Sequence, residues 1–191
     1  MTKKSPCQEK WFCDRMMFVD VSLLDKNSIK IRGKNSSFVI DPVVKIQKVA
    51  ADAVVFLKDT GDESGVSRVT DFRVIINGCG EYEVGGIRIL VTKSDGNLLY
   101  SLNVDGISIL LSRASGLAKI QEAGEYNILV LNVDSDFKDP MVTSFSPSTV
   151  ILYGEKAGDA VRMLGKKASK SQKFSISADK LPLEMQIVLL E

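Results

Sequence analysis

The sequence predicts an α+β fold: two β-sheets packed together, with a few helices outside them. Three observations carry that expectation. Apolar and polar residues alternate through the first third of the chain, as they do in half-buried strands. Two later runs, residues 128–133 and 149–153, are almost wholly apolar, as strands covered on both faces are. Only one longer stretch, about residues 156–167, repeats apolar residues at helical spacing, through Ala157, Ala160, Val161 and Leu164.

In chain order, residues 1–18 form a polar arm, with Lys3, Lys4, Lys10 and Arg15 around Trp11 and Phe12, ahead of a domain spanning residues 19–191. Val19-Asp20-Val21-Ser22-Leu23 and Ser28-Ile29-Lys30-Ile31-Arg32 alternate. Gly33-Lys34-Asn35 supplies a turn, and Ser37-Phe38-Val39-Ile40 leads into Asp41-Pro42, which completes a β-meander. Ala53-Val54-Val55-Phe56-Leu57 is an apolar strand that delivers a polar, carboxylate-bearing loop at residues 58–65. Residues 74–86 close this stretch, and their glycines most simply serve turns at positive φ.

Residues 87–91 and 98–104 read as strands joined by the turn Ser94-Asp95-Gly96-Asn97, and Asp105-Gly106 turns the chain into a returning strand at 107–111. Asp139-Pro140 fits an N-cap and first helical position for a short helix through Phe145. After the helix of 156–167, residues 168–172 read as a linker. Two short strands, around residues 174–176 and 185–189, end the chain.

The 191 residues suit one domain with its own core, and 45% apolar with 26% charged residues is ordinary for a globular protein. A net charge of +1 supplies no field to draw in nucleic acid or an acidic membrane. Residues 1–24 lack a secretory apolar core, and no run reaches the roughly 20 apolar residues of a membrane span. Cys7, Cys13 and Cys79 are odd in number without a CxxC spacing, which points to a reduced, cytoplasmic protein and disfavours a zinc pair at Cys7 and Cys13. Histidine is absent, so the commonest metal ligand and the usual general base are missing. Without an imidazole to deprotonate it, Cys79 reads as a small packed thiol.

Gly78-Cys79-Gly80-Glu81-Tyr82-Glu83-Val84-Gly85-Gly86 resembles the "PGEYEVKG" segment of the metallo-β-lactamase-fold hydrolases, nearest to the small bacterial Zn-dependent hydrolases related to ascorbate-6-phosphate lactonases. Val39-Ile40-Asp41-Pro42 resembles that branch's "DP" strand end, residues 97–106 its "NTIYVIEIDG" hairpin, and residues 175–191 its closing "SIKKSDLPEETEVVVLE". The resemblance covers residues 19–191 and implies a compact four-layer αββα sandwich with two mixed sheets.

It also implies a dinuclear zinc site, whose first ligands come from an HxHxDH loop directly after the strand at residues 51–57. Here Lys58, Thr60 and Glu63 stand where the three histidines would be, and of the functional residues only Asp62 survives. The family's "HLGDLGH" segment falls on residues 111–117, with Ala114 at the bridging aspartate and Leu117 at a histidine; the late histidine falls on Gly154. A di-zinc hydrolytic centre needs neutral imidazoles, a bridging carboxylate and an open position for acidified water. No zinc and no family chemistry are therefore expected, and segments trimmed after Gly86 and Val133 imply a shallow or filled cleft.

What remains leaves three classes of function open. The preferred one is a non-catalytic interaction or scaffold subunit, partnered with itself or with an active relative, in which Lys58 and Arg113 supply positive charge to Asp62. Trp11 and Phe12 are candidate partner contacts. The second is a hydrolase of phosphoesters or lactones holding an oxygen-ligated Mg²⁺ or Ca²⁺ at Asp59, Asp62 and Glu63, although the spacing is not that of an EF-hand loop. The third is weak nucleic-acid binding through the arm and the cluster Lys166, Lys167, Lys170 and Lys173, which is disfavoured because nearby carboxylates interleave and no aromatic ladder accompanies the lysines.

Overall fold

In the computed structural model, which describes residues 18–117, 124–135 and 140–191, the alternation of the first third becomes a meander of β1 (Phe18–Asp25), β2 (Ser28–Arg32) and β3 (Ser37–Ile40). The short β4 (Val49–Ala50) precedes β5 (Ala53–Val55). A 3-10 helix at Glu63–Arg68, β6 (Val69–Thr70) and β7 (Val74–Ile76) follow. Next come β8 (Gly80–Val84), β9 (Ile87–Ser94), β10 (Asn97–Val104) and β11 (Ile107–Arg113), which leads into α1 (Ala114–Leu117). β12 (Ile128–Asn132), α2 (Pro140–Thr143), β13 (Thr149–Tyr153) and α3 (Ala157–Leu164) precede β14 (Ala168–Ser171), β15 (Lys173–Ser177) and β16 (Gln186–Leu190).

Both large sheets are mixed. The six-stranded one runs β15-β1-β2-β3-β5-β7, antiparallel as far as β3 and parallel beyond it. The eight-stranded one runs β14-β16-β13-β12-β11-β10-β9-β8, parallel from β14 to β11 and antiparallel from there to β8. β4 and β6 pair separately. At both flanks the chain steps directly between sheets: β7 continues into β8 through residues 77–79, and β14 into β15 through Gln172.

Period two dictates the burial. Ile29 and Ile31, Phe38 and Ile40, Ile89 and Val91, Val130 and Ile151 point into one core shared by the two sheets. On the eight-stranded sheet the alternate residues, such as Leu110, Leu129, Leu131, Val150 and Leu152, are also buried, beneath α1, Val142, Phe145 and α3. That double cover explains the unbroken apolar runs of β12 and β13. On the outer face of the six-stranded sheet, Val39 and Val54 are covered by Ile46, Val69 and the partly buried Val66 and Phe72, from loops and the 3-10 helix rather than from an α-helix. The turns behave as their residues demand: Asp95-Gly96 and Asp105-Gly106 both adopt positive φ, the type I′ geometry that matches strand twist.

Two expectations need correction. Residues 168–171 are an edge strand paired with β16, not a linker; three of the four are exposed, so no alternation marks them. Cys79 is exposed on the crossing between β7 and β8, not packed. Trp11, Phe12, Cys7, Cys13 and Asp139 lie outside the described residues.

Candidate functional site

β3, β5 and the parallel strands β11, β12 and β13 all end at the same end of the sandwich, and their first residues past the core are polar. Asp41 follows β3 with φ of 45°, a left-handed conformation that Asp tolerates better than most residues. Its Oδ1 accepts the Leu57 N–H at 2.9 Å, which ties β3 to the end of the neighbouring strand. Its Oδ2 lies 3.2 Å from Arg113 Nη2, at the end of β11 in the opposite sheet. The second arm of the guanidinium, Nη1, lies 3.4 Å from Asp134 Oδ2, just beyond β12. Ser115, in α1, donates its N–H to Asp134 Oδ1 at 3.1 Å and its hydroxyl to Oδ2 at 2.8 Å.

One guanidinium thus sits between two carboxylates from both sheets. The side chains of Arg113, Asp41 and Asp134 retain only 18, 14 and 20% of their exposure, so water screens the group weakly. Burial pushes the Asp41 carboxyl above the usual carboxylate range; the Leu57 amide and Arg113 pull the other way without overcoming it, and Lys58 contributes a smaller downward pull.

Arg113, Asn132 and Tyr153 stand side by side in the register of β11, β12 and β13, two residues beyond Leu111, Val130 and Ile151, and so face the other sheet. Among the described residues Arg113 Nε is buried without a hydrogen-bond partner, and the Asn132 amide lies beside the buried Tyr153 hydroxyl. Burial raises the Tyr153 phenol far above its ordinary value and keeps it neutral. Tyr100, further down the same core, is likewise raised by burial, and its hydroxyl lies 2.6 Å from the Phe56 carbonyl and 3.1 Å from that of Ile76.

The loop after β5 lies at this end too, but its side chains disperse. Lys58 is exposed and its backbone bridges to Asn97. Asp59 pairs with Lys93, which lowers the carboxyl and raises the amine. Thr60 is exposed. Asp62 caps the 3-10 helix, accepting the Ser64 N–H and hydroxyl at 2.9 Å each, and these hydrogen bonds lower its pKa. Glu63 accepts from Asn77 Nδ2 at 3.2 Å. The three carboxylates of the oxygen-ligand alternative therefore diverge, and among the described residues no group of three or more His, Cys, Asp or Glu side chains gathers as a metal site would require.

The remaining positions are equally closed to ligation. Ala114 and Leu117 are buried in the outer core beneath the eight-stranded sheet. Gly154 has φ of 102°, and a Cβ there would lie 2.8 Å from Asn132 Oδ1 and 3.1 Å from the Val133 nitrogen. A histidine has no room. The donor set present does not fit a zinc pair. What is left of a cleft is a cavity of about 260 Å³ lined by Lys58, Asp59, Thr60, Asn97 and Ser115.

No family model and no curated protein matches this chain. Solved structures do. A protein from Thermotoga maritima assigned as a Zn-dependent hydrolase of the metallo-β-lactamase superfamily matches with a TM-score of 0.68 at 16% identity, over 90% of this chain and 98% of that one. One from Parabacteroides distasonis assigned as a metal-dependent hydrolase matches with a TM-score of 0.58 at 14% identity, over 90% and 93%. Igni18, a metallo hydrolase from the archaeon Ignicoccus hospitalis, matches with 0.53 at 10%, over 91% and 96%. This chain has the metallo-β-lactamase fold.

Within that metallo-β-lactamase fold, the pairing expected between Arg113 and Asp62 is corrected. Arg113 meets Asp41 and Asp134 instead, because Asp41 is buried and needs a counter-charge whereas Asp62 is exposed and already satisfied by Ser64. Asp134 and Ser115 were not singled out from the sequence; the pairings span 72 and 21 positions and leave no local pattern. The basic cluster is partly neutralised, with Lys170 paired to Glu191 and Lys173 to Asp20. Among the described residues no helix is long and apolar enough to cross a membrane.

Proposed function

We propose that this chain is a zinc-free pseudoenzyme: a degenerate αββα member of the small bacterial Zn-dependent hydrolase branch, retained as an interaction or scaffold subunit. The observation that carries the proposal is the Arg113 guanidinium held between Asp41 and Asp134, where a metal centre would need neutral donors. A permanently charged guanidinium can neutralise carboxylates, but it cannot bind a substrate oxygen as a Lewis acid or acidify a bound water. Its partner is a second copy or an active relative that carries the missing histidines.

The test is metal analysis of protein purified without chelators, alongside a phosphodiesterase and lactonase panel. Sub-stoichiometric metal and no turnover are expected. Stoichiometric zinc, or a divalent ion with turnover lost in Asp62→Ala, overturns the reading in favour of a hydrolase. Mass spectrometry of proteins that co-purify with the untagged chain from its native cell then identifies the partner.

A further inference from the structure

We propose that Asn77 is a self-modification site: the Gly78 backbone nitrogen displaces its side-chain amide, leaving aspartate or isoaspartate on the crossing between β7 and β8. Of the chain's asparagines only Asn77 is followed by glycine. The reaction needs the next residue's nitrogen to swing onto the side-chain carbonyl carbon, and a Cβ on that residue stands in the way. Gly78 has none. The space beside it is also open, since a Cβ there would meet only the Tyr82 hydroxyl, at 3.9 Å.

The fold pins this dipeptide at both ends and leaves the reacting bond free. The Ile76 carbonyl accepts the Phe56 N–H at 3.0 Å and the Tyr100 hydroxyl at 3.1 Å. The Gly78 carbonyl accepts the Tyr82 hydroxyl at 3.1 Å. Between them β7 has ended at Ile76 and β8 begins only at Gly80, and among the described residues no hydrogen bond engages the Gly78 N–H. An N–H with no acceptor in the fold is open to hydroxide. The Asn77 side chain is exposed, and among the described residues its one hydrogen bond runs from Nδ2 to Glu63 Oε1, at 3.2 Å.

Elsewhere the fold withholds a condition. Asn97 and Asn132 precede Leu98 and Val133, whose N–H groups donate to the Leu57 carbonyl at 2.9 Å and the Tyr153 carbonyl at 2.7 Å. Asp105-Gly106 has the glycine, but the Gly106 N–H donates to Asn103 Oδ1 at 3.1 Å, and an ionised carboxylate is a poor electrophile.

The atoms balance with water as the sole co-reactant. The Gly78 nitrogen gives its proton to hydroxide and bonds to Asn77 Cγ. The Cγ–Nδ2 bond breaks, Nδ2 regains that proton and leaves as ammonia, and a cyclic imide remains. Water opens the imide at the side-chain carbonyl to give aspartate, or at the main-chain carbonyl to give isoaspartate, which adds a methylene to the backbone. Either product puts a carboxylate where Glu63 now receives a donor, so attraction becomes repulsion. Glu63 opens the 3-10 helix after Asp62, and its tie to the crossing is lost.

The test is peptide mapping by mass spectrometry of the whole folded chain held in mildly alkaline buffer, beside the same chain in urea. Conversion at Asn77 is expected in the folded protein, ahead of every other asparagine, and should be lost in Gly78→Ala. That variant should melt no lower than wild type, because φ at Gly78 is not positive and the Cβ finds room. Asn77 that stays an amide in the folded chain while the denatured chain converts overturns the proposal. So does conversion undiminished in Gly78→Ala, or other asparagines converting as fast. Asn77→Asp should melt below wild type, with Glu63→Gln in that background restoring the loss; an Asn77→Asp chain that melts with wild type overturns the link to Glu63.

Discussion

Replacing Arg113 by methionine is the most searching perturbation of this molecule. Methionine keeps much of the side-chain bulk, so the change isolates the charge. Asp41 and Asp134 would then face each other without a counter-ion, Asp41 keeping the Leu57 amide and Asp134 the Ser115 donors. Breaking a buried pair from one side costs about 3–5 kcal/mol. The side chains here keep 14 to 20% of their exposure, which places the expected loss at the low end, about 3 kcal/mol. For a domain of this size that is a drop of about 6–12 °C in melting temperature at neutral pH.

The pH dependence supplies a second reading. Asp41 is already raised in the folded state by burial, and removing Arg113 raises it further. A raised carboxyl binds its proton more tightly folded than unfolded. Its contribution is favourable below the unfolded carboxylate value, about 3.9, and is lost as pH rises through the folded value. The deficit of Arg113→Met should therefore shrink on acidification from pH 7 towards pH 5, and Asp41→Asn in the same background should recover part of it at pH 7. Thermal denaturation of the three proteins across that range is the assay. A single mutant within about 1 kcal/mol of wild type at pH 7 would refute the reasoning, since an exposed pair is worth no more than that.

Two further predictions follow from named contacts. Gly154→Ala should cost about 2 kcal/mol or more, from positive φ together with the clash against Asn132 and the Val133 backbone, and Gly154→His should destabilise further without conferring zinc binding, read by melting temperature and metal content. Tyr100→Phe should cost about 1 kcal/mol by removing the hydroxyl that the Phe56 carbonyl accepts at 2.6 Å, while the Ile76 carbonyl keeps the Phe56 N–H; an unchanged midpoint in denaturant titration would contradict this assignment.

The strands were legible because a half-buried sheet stamps its period on the sequence: Ile29 and Ile31 inward, Lys30 and Arg32 outward. Turns were legible where chemistry forces them, as at Asp95-Gly96 and Asp105-Gly106. The edge strand at residues 168–171 was not, because its polar residues face solvent on both sides. The 3-10 helix was hidden for a related reason: Ser64, Gly65 and Ser67 are ordinary loop residues, and only the Asp62 cap onto Ser64 marks its start. At the site, the sequence showed that a polar loop follows the strand ending near Leu57. It could not show that Arg113 would choose Asp41 over Asp62, since that choice is decided by which carboxylate the fold buries.

The strand crossings at the two flanks bear on what the mouth of the sandwich has to hold together. Where β7 runs on into β8 and β14 into β15, the halves of the sandwich are stitched by covalent chain at both sides and cannot open like a clamshell. An ion at the mouth of a body already sewn shut is a tenant rather than a rivet. Polar groups at that mouth can therefore be exchanged while the two sheets stay joined.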